Sequence, residues 1–419
     1  MAATEIHLAI EAVWKIESAR LIAGLTRIVR DVGVAEELAQ DALVVALEKW
    51  PEEGIPENPG AWLMGTAKHR AIDFLRRGTL IDEKHEVLGR EMAEREMQVP
   101  DLAAAMDDII GDDMLRLVFI ACHPVLATEA RVALTLRLLG GLSTYEIARA
   151  YLVSESTMAQ RIVRAKKTLS DAHAPFEVPR GAEFSARLSS VLQVLYLIFN
   201  EGYSATSGDD WMRPALCEEA LRQGRILAEL VPKEPEVHGL VALMEIQASR
   251  SKARTNAAGE PILLLDQDRS KWDRLLIGRG LAALERAERL GGAHGPHAIQ
   301  AAIAACHARA LTPGDTDWSR IAALYAQLAR IEPSPVVELN RAVPVSMAAG
   351  PAAGLELIDA LKDDPTLKNY HLLPSVRGDL LKKLGRKKEA REEFERAASI
   401  TRNARERDLL VERARVCDE

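Results

Sequence analysis

Several features are scarce in this 419-residue chain, and each scarcity argues against a class of protein. Its four cysteines lie far apart with no C-x-x-C pair, which predicts free thiols in a reducing cytoplasm and neither a zinc site nor a disulfide framework. The start of the chain is not a basic segment followed by an apolar one, and uncharged apolar runs of about 18 residues are missing, so we expect no signal peptide and no membrane span. The H-E-x-x-H, G-x-S-x-G and phosphate-loop motifs are also missing, so we expect no enzyme, no metal and no cofactor.

The composition predicts an all-α protein with a substantial core. Hydrophobic residues make up 48% of the chain and aromatic residues only 4%. Ala, Leu, Glu and Arg dominate, and these residues favour helices over strands. The net charge of −8 looks unsuited to a nucleic-acid partner, but phosphate binding needs only local positive patches.

Breaks in the hydrophobic pattern divide the chain into five segments. A compact helical unit is predicted over 1–78, with a loop at 50–60 that is rich in Pro and Gly. A strongly acidic linker follows over 79–113, with a short helix expected at 83–97. A second helical unit covers 114–170, and a linker at 171–183 leads to a long helical domain over 184–419.

The sequence of the C-terminal domain predicts helices joined by short turns. The apolar segment Leu188–Phe199 predicts a buried helix. Two similar stretches, beginning near Val336 and Val376, each pair two helices about a turn, at an offset close to the roughly 34 residues of a tetratricopeptide (TPR) repeat. We therefore expect a TPR-like array, which suits binding of a protein or a peptide.

A helix-turn-helix is predicted between Leu142 and Leu169. Ser143 and Glu146 form a capping box that starts a short first helix, and Ser154 caps the second. The position in the turn that often holds Gly is Leu152, which must avoid positive φ or be strained.

The second helix of this motif combines an apolar stripe with a cationic face. The stripe consists of Met158, Ile162, Ala165 and Leu169. In a major groove, Arg161 or Arg164 would pair with guanine, Gln160 would read adenine and the lysines would neutralise phosphate. The alternative is an amphipathic hairpin with a solvated basic face. The candidate DNA-binding residues here are Ser156, Thr157, Gln160, Arg161, Arg164, Lys166 and Lys167.

This segment resembles region 4 of the extracytoplasmic-function sigma factors, which binds the −35 promoter element. The positions that match the usual wording of the family are Leu142, Ser143, Glu146, Ile147, Ala148, Val153, Ser154, Thr157, Arg161, Arg164 and Ala165.

The N-terminal unit resembles region 2 of the same family. The run Asp31–Trp50 is similar to the helix that docks on the clamp helices of core RNA polymerase, which implies a core-binding role for Glu36, Glu37, Leu38 and Asp41.

The run Ala61–Arg77 is similar to the helix that binds the −10 element, although Gly65-Thr66 and His69 depart from the usual residues. Its local net charge is positive, as phosphate neutralisation requires. Trp62 and His69 are candidates for base stacking, but Trp62 fits a packing role better. The implied −10 residues are Trp62, Lys68, His69, Arg70, Arg76 and Arg77.

The resemblance implies a cytoplasmic sigma factor that directs core RNA polymerase to promoter DNA, with a TPR-like extension that regulates it. The alternative is a helix-turn-helix regulator that never engages the polymerase. A third hypothesis is an enzyme that uses carboxylates for acid–base chemistry. Its candidate groups are the polar cluster of Asn200, Glu201, Tyr203, Asp209 and Asp210 and that of Asp266, Asp268 and Arg269. A simpler interpretation assigns these groups a structural role. In the simpler reading these groups cap helices and pair charges.

Overall fold

The structure, a computed structural model, describes residues 3–81 and 102–417. These residues form eighteen α-helices and one pair of two-residue strands, which confirms the all-α prediction. The chain divides into two compact units, Met1–Leu195 and Tyr196–Glu419.

Three helices begin the first unit: α1 (Ala3–Val29), α2 (Val32–Glu53) and α3 (Pro59–Ile81). The Asp31 carboxylate starts α2 by accepting hydrogen bonds from the backbone N–H groups of Gly33 and Val34. The helices pack through small and aliphatic side chains that are almost fully buried. These include Leu21, Leu25, Ala42, Ala46, Leu63, Ala67 and Ala71.

The loop between α2 and α3 is shorter than the sequence predicts. Helix α2 continues through Pro51 to Glu53, and α3 already begins at Pro59. Pro59 costs little, because it occupies the first position of α3, where a backbone N–H has no intrahelical partner. Pro51 lies inside the last turn of α2, so that turn lacks the hydrogen bond that a backbone N–H at this position would donate to the carbonyl of Leu47. Gly54, with φ of 87°, ends α2 by donating its N–H to the carbonyl of Trp50.

Four helices follow: α4 (Leu102–Ala121), α5 (Thr128–Leu138), α6 (Thr144–Ala150) and α7 (Glu155–Asp171). Helix α4 begins inside the predicted linker, and the helix expected at 83–97 lies outside the described residues. Both predicted caps are confirmed, since the Ser143–Glu146 capping box starts α6 and Ser154 starts α7. Leu152 adopts a positive φ of 51°, the strained alternative that the sequence left open.

Helix α8 (Ala182–Tyr203) places the boundary between the units later than the predicted start of the C-terminal domain at 184. Its first half packs on α4. The Phe184 ring meets that of Phe119 edge-on at 5.5 Å, and Arg187, which is 7% exposed, donates to the Phe119 carbonyl. Arg131 of α5 donates to the Ser190 hydroxyl. These contacts assign the first half of α8 to the first unit.

Ten helices follow α8 in the second unit. Their bounds are α9 (Pro214–Leu230), α10 (Pro235–Ala248), α11 (Arg274–Arg289), α12 (Pro296–Arg309), α13 (Trp318–Ile331), α14 (Pro335–Ala349), α15 (Pro351–Leu361), α16 (Leu372–Lys383), α17 (Lys387–Ile400) and α18 (Ala404–Arg415). Strands β1 (Ser207–Gly208) and β2 (Arg402–Asn403) pair in parallel and join the loop after α8 to the last hairpin of helices.

The two predicted helix pairs near the C-terminus are present as α14 with α15 and α16 with α17. Each connection includes a glycine with positive φ, Gly350 at 97° and Gly385 at 76°. Gly378 of α16 lies against the Phe394 ring, and a Cβ there would stand 2.9 Å from it. This close approach lets Phe394 fill the core between the two helices.

The predicted buried helix over Leu188–Phe199 is confirmed as part of α8. By length and composition, α8 is the single helix in the described part of the chain that could cross a membrane. Within the window concerned, 44% of the residues are buried inside the protein. All four cysteines are free and buried, and burial raises the pKa of the Cys122 thiol to about 11.

Candidate nucleic-acid and polymerase interface

Helix α7 is held in place by one apolar side and presents the other to solvent. Met158, Ile162, Ala165 and Leu169 are each less than 5% exposed. The Ser154 hydroxyl accepts from the Thr157 N–H and so satisfies one of the free donors in the first turn. The helix is therefore a fixed support for the side chains on its outer face.

The outer face of α7 carries most of the predicted −35 residues. Ser156, Thr157, Gln160, Arg164 and Lys167 are exposed, whereas Arg161 is half-buried. The Arg164 guanidinium donates to the Gln160 side-chain oxygen at 3.2 Å. Ser156 and Gln160, on the first turns, occupy the part of a recognition helix that reaches base edges.

Lys166 is placed differently from its neighbour Lys167. Its ammonium group forms an ion pair with the Glu36 carboxylate of α2. The second oxygen of this carboxylate accepts from Arg137 Nε of α5 at 2.6 Å and from Gln40 Nε2 at 2.6 Å. Glu36 is only 2% exposed, so the structure joins a predicted core-binding residue to a predicted DNA-binding residue.

The other predicted core-binding residues fall into two groups. Leu38 is 8% exposed and packs in the core, whereas Glu37 and Asp41 are exposed. Beside the two acids, Val44 is 51% exposed and Leu47 is 38% exposed. The solvent face of α2 therefore combines acidic groups with apolar side chains that lack cover.

Helix α3 presents the predicted −10 residues in different ways. Arg70 forms an ion pair with Asp41 at 2.7 Å, and exposed His69 contacts the Gly65 carbonyl through Nδ1 at 2.8 Å. Lys68 is half-buried and Arg76 is exposed. The side chain of Arg77 lies outside the described residues.

Trp62 is half-buried and meets the ring of Trp50 edge-on, with centroids 5.3 Å apart. Trp50 is only 1% exposed. This geometry favours the packing role for Trp62 over base stacking.

Two exposed residues escaped the sequence analysis. Phe74 on α3 is 44% exposed, and Val163 on α7 is 63% exposed between Gln160 and Arg164. Both could have been identified in the sequence as apolar residues within a basic segment. Val163 also lies outside the predicted apolar stripe of its helix. An aromatic ring can stack on an unpaired base, and a small apolar group can contact the methyl of thymine.

The polar clusters considered for an enzyme have structural partners. Glu201 pairs with Arg213, and the Asp268 carboxylate caps a short turn through the Ser270 N–H. Arg269 donates to the carbonyls of His307 and Ala310 where α12 ends. Across residues 3–81 and 102–417, no three His, Cys, Asp or Glu side chains are grouped to hold a metal ion.

Comparison with known families gives three matches along the chain. Sigma-70 region 2 matches residues 17–80, and Sigma-70 region 4 matches residues 116–169. A family of unknown function, DUF6596, matches residues 187–288. The chain is also 44% identical over 383 residues to an uncharacterized protein of Rhizobium meliloti (strain 1021), covering 91% of this chain and 89% of the relative.

The region 2 match runs from the second half of α1 to the end of α3, and the region 4 match runs from the end of α4 through most of α7. Both modules of a promoter-recognition protein are therefore present, in the expected order, each with its charged faces on the helices described above. The third match covers the helices from α8 to α11. This chain belongs to the sigma-70 family of transcription-initiation factors, with an additional C-terminal helical domain.

Proposed function

We propose that this protein is a cytoplasmic sigma factor of the extracytoplasmic-function group, whose C-terminal TPR-like domain regulates it. Region 2 (α1–α3) docks on core RNA polymerase through α2 and binds the −10 element through α3. Region 4 (α5–α7, with the end of α4) binds the −35 element through α7. Membership of the family supports polymerase and promoter DNA as partners.

The observation that carries this proposal is the exposed face of α2. Glu37, Asp41 and Val44 follow one another at helical spacings of four and three, and all three are exposed. An acidic helix with exposed apolar side chains suits contact with a protein surface. We assign the core contact to these residues and Leu47, while Leu38 supports them from the core.

This face also discriminates against the helix-turn-helix regulator that avoids polymerase. Such a regulator needs only α6 and α7 and gains nothing from an acidic, partly apolar helix elsewhere. The match to region 2 along α1–α3 favours the sigma factor for the same reason.

Run-off transcription with core RNA polymerase tests the proposal. Purified full-length protein should enable initiation from a target promoter that core polymerase alone does not use. Replacing Glu37 and Asp41 together by Lys should weaken core association while the isolated protein stays folded, because both side chains are exposed. A matched control is the exchange of the exposed acids Glu52 and Glu53 for Lys at the end of α2.

The two outcomes are separable at physiological ionic strength. Loss of core affinity in the Glu37/Asp41 variant, with the Glu52/Glu53 variant unchanged, supports docking through α2. Equal affinity of both variants and wild type would contradict the assignment of these two acids. Failure of the wild-type protein to bind core polymerase would contradict the proposed function as a whole.

A further inference from the structure

Three arginines of the second unit lie around two aromatic rings. The Cζ atoms of Arg250 and Arg254 stand over the ring of Tyr203, at 5.6 Å and 3.5 Å from its centre. Those of Arg250 and Arg269 stand over the ring of Trp272, at 5.7 Å and 5.0 Å from its centre. Arg254, Arg269 and Trp272 are 7%, 6% and 3% exposed. These five residues are named the arginine cluster.

The hydrogen bonds of the three guanidinium groups go to uncharged acceptors. Arg250 donates to the Tyr203 hydroxyl and to the side chain of Gln247, and Arg254 donates to the Tyr203 carbonyl. Arg269 donates to two backbone carbonyls at the end of α12 and to one hydroxyl. Within residues 3–81 and 102–417, none of the three forms an ion pair with a carboxylate.

The acids close to the cluster in the sequence are engaged elsewhere or exposed. Glu201 pairs with an arginine outside the cluster, and the carboxylates of Asp268 and Asp273 accept from backbone N–H groups at the starts of helical turns. Asp315 attracts Arg269, but it is exposed and accepts hydrogen bonds within its own turn. The positive charge of the cluster is therefore not neutralised by a neighbouring carboxylate.

Three helices end at the cluster, and their dipoles balance only part of its charge. Helix α8 ends at Tyr203, α10 at Ala248 and α12 at Arg309. The carboxyl end of a helix carries about −0.5 of an elementary charge, so the three ends supply about −1.5 against three full positive charges. The remaining charge of about +1.5 matches an anion with one or two negative charges.

Repulsion among the arginines favours the same kind of partner. Burial lowers the pKa of the Arg254 and Arg269 side chains, and the neighbouring charge of Arg250 lowers the pKa of each further. An anion bound between the guanidinium groups would relieve this repulsion, because it would attract all three.

The cluster also holds buried donors that have no acceptor. Nε of Arg269 and the indole Nε1 of Trp272 are buried without a hydrogen-bond partner. Arg250 donates through Nη2 alone and Arg254 through Nη1 alone. Because buried donors are normally paired, such a set suits a ligand that carries several acceptor oxygens.

We propose that the arginine cluster is a binding site for a small organic anion that carries a carboxylate or a phosphate group on an aromatic or apolar body. Guanidinium groups bind both oxyanions through paired N–H donors. Arg250, Tyr203 and Trp211 are half-buried and form the solvent side of the site, with the Arg254 guanidinium 5.7 Å from the centre of the Trp211 ring. The two half-exposed rings would cover the body of the ligand.

Calorimetric titration of the full-length protein tests the site with three probes. These are inorganic phosphate, phenyl phosphate and benzoate, each compared with sodium chloride at equal ionic strength. We expect phenyl phosphate or benzoate to bind in the submillimolar range and more tightly than phosphate, because the ring adds contact with Tyr203 and Trp211. The order of phenyl phosphate and benzoate then distinguishes a phosphate ligand from a carboxylate ligand.

Removal of one guanidinium group provides a variant with a matched control. Arg250→Gln should weaken binding of the best probe on the order of tenfold or more, because a charge-assisted pair of donors is lost. Arg250→Lys keeps the charge without the paired donors and should fall between this variant and wild type. Arg279→Gln makes the same charge change at an exposed position of α11 and should bind like wild type.

Hydrogen exchange of the wild-type protein locates the bound probe without any substitution, so the test holds even where the Arg250 variants fail to fold. Protection by the probe should appear in the segments 203–213 and 247–272.

Three results would overturn the proposal. One is the absence of binding by all three probes at millimolar concentration, which would leave the cluster with only a structural role at the helix ends. Another is equal affinity of wild type and a folded Arg250→Gln variant. The third is protection confined to other segments. All these measurements are made without polymerase, so their failure leaves the proposed function intact.

Discussion

At the scale of single residues, the cations of α7 divide between two environments. Lys166 is engaged with buried Glu36, whereas Arg164 and Lys167 are exposed. The sequence marks all three as basic, and only their positions around the helix distinguish their surroundings. We therefore expect Arg164 to read a base and Lys167 to bind phosphate, and substitutions at the two positions should have different effects.

Replacing Arg164 by Ala should cost roughly 1–3 kcal/mol of promoter binding free energy and relax the preference at one base position. Replacing Lys167 by Ala should weaken binding to all sequences alike and reduce the salt slope by about one. Binding titrations of the holoenzyme on a set of −35 variants at several salt concentrations measure both. If the two variants behave alike, Arg164 does not read a base.

Leu152 holds a left-handed conformation that costs a non-glycine residue roughly 1–2 kcal/mol. Its side chain is 52% exposed, so little burial is lost on its removal. Leu152→Gly should relieve the strain and, after the entropy cost of glycine, raise the free energy of unfolding by up to about 1 kcal/mol. Leu152→Ala removes the same side chain but keeps the strain, so it should not stabilise region 4. Denaturant unfolding that ranks the Ala variant at or above the Gly variant would disprove the explanation.

His307 gives the second unit a dependence on pH. Burial, followed by the charges of Arg250 and Arg269, lowers the pKa of this imidazole to about 4. The unfolded chain, with a pKa near 6.5, then binds more protons than the folded chain between these values. The contribution is fully present above pH 6.5 and is lost as the pH falls towards 4, by up to about 3 kcal/mol.

The substitution His307→Phe should flatten this dependence, because a ring that cannot titrate keeps the edge-on contact with Trp318 at 5.2 Å. Unfolding followed by tryptophan fluorescence from pH 4 to pH 8 measures the slope for both proteins. Equal slopes would exclude His307 as the source.

At the scale of elements, α8 shows where periodicity informs and where it fails. Its apolar run predicted a buried helix correctly, because burial at helical spacing is a local property of the chain. The pattern did not reveal that the helix contributes to two units. That division depends on Phe184 and Arg187 meeting Phe119, which lies more than sixty positions earlier in the chain.

The contact through Arg187 predicts a measurable stability difference. Arg187→Met keeps an apolar stem but removes the donor to the Phe119 carbonyl, which should destabilise the first unit by about 2 kcal/mol. Arg180→Met alters an exposed residue before α8 and should change stability by less than about 0.5 kcal/mol. Thermal unfolding of the two full-length variants measures the loss of stability of each relative to wild type. Similar losses for both would show that the contact of Arg187 with Phe119 does not hold α8 on the first unit.

The end of α2 is another element that the sequence described incompletely. Pro51 and Gly54 suggested a loop from Trp50, yet the helix extends to Glu53. Trp50 is 1% exposed and meets the Trp62 ring edge-on, and this packing favours the helical last turn of α2 although Pro51 cannot donate a backbone hydrogen bond. Tertiary packing thus extends α2 by about one turn beyond the end that Pro51 and Gly54 suggested.

At the scale of the whole molecule, the regulatory role proposed for the domain after region 4 can be tested by truncation. The boundary between the compact units falls after Leu195, so a test of regulation must keep the first half of α8. A protein cut after Ala174 loses the packing of Phe184 and Arg187 and would confound stability with regulation.

If the second unit has the regulatory role proposed for it, truncation after Leu195 should change run-off transcription from a target promoter markedly in one direction. Truncation after Ala174 should also lower the unfolding temperature of the first unit, which separates the two effects. Equal transcription by the 1–195 protein and the full chain, at matched concentrations, would leave the second unit without the regulatory role proposed for it.

The sequence by itself determined the features that depend on neighbours along the chain. Helix content, the capping box at Ser143, the cap at Ser154 and the buried stripe of α7 follow from spacings of three and four residues, which a helix converts directly into faces and caps. The tertiary structure alone decided which charges meet. Glu36 finds Arg137 across 101 positions, and only the packing of α2 against α5 and α7 turns an acid marked for polymerase into the buried partner of region 4. A contact between residues so far apart in the sequence produces no periodic pattern along the chain, because it forms only when the helices pack in the folded protein.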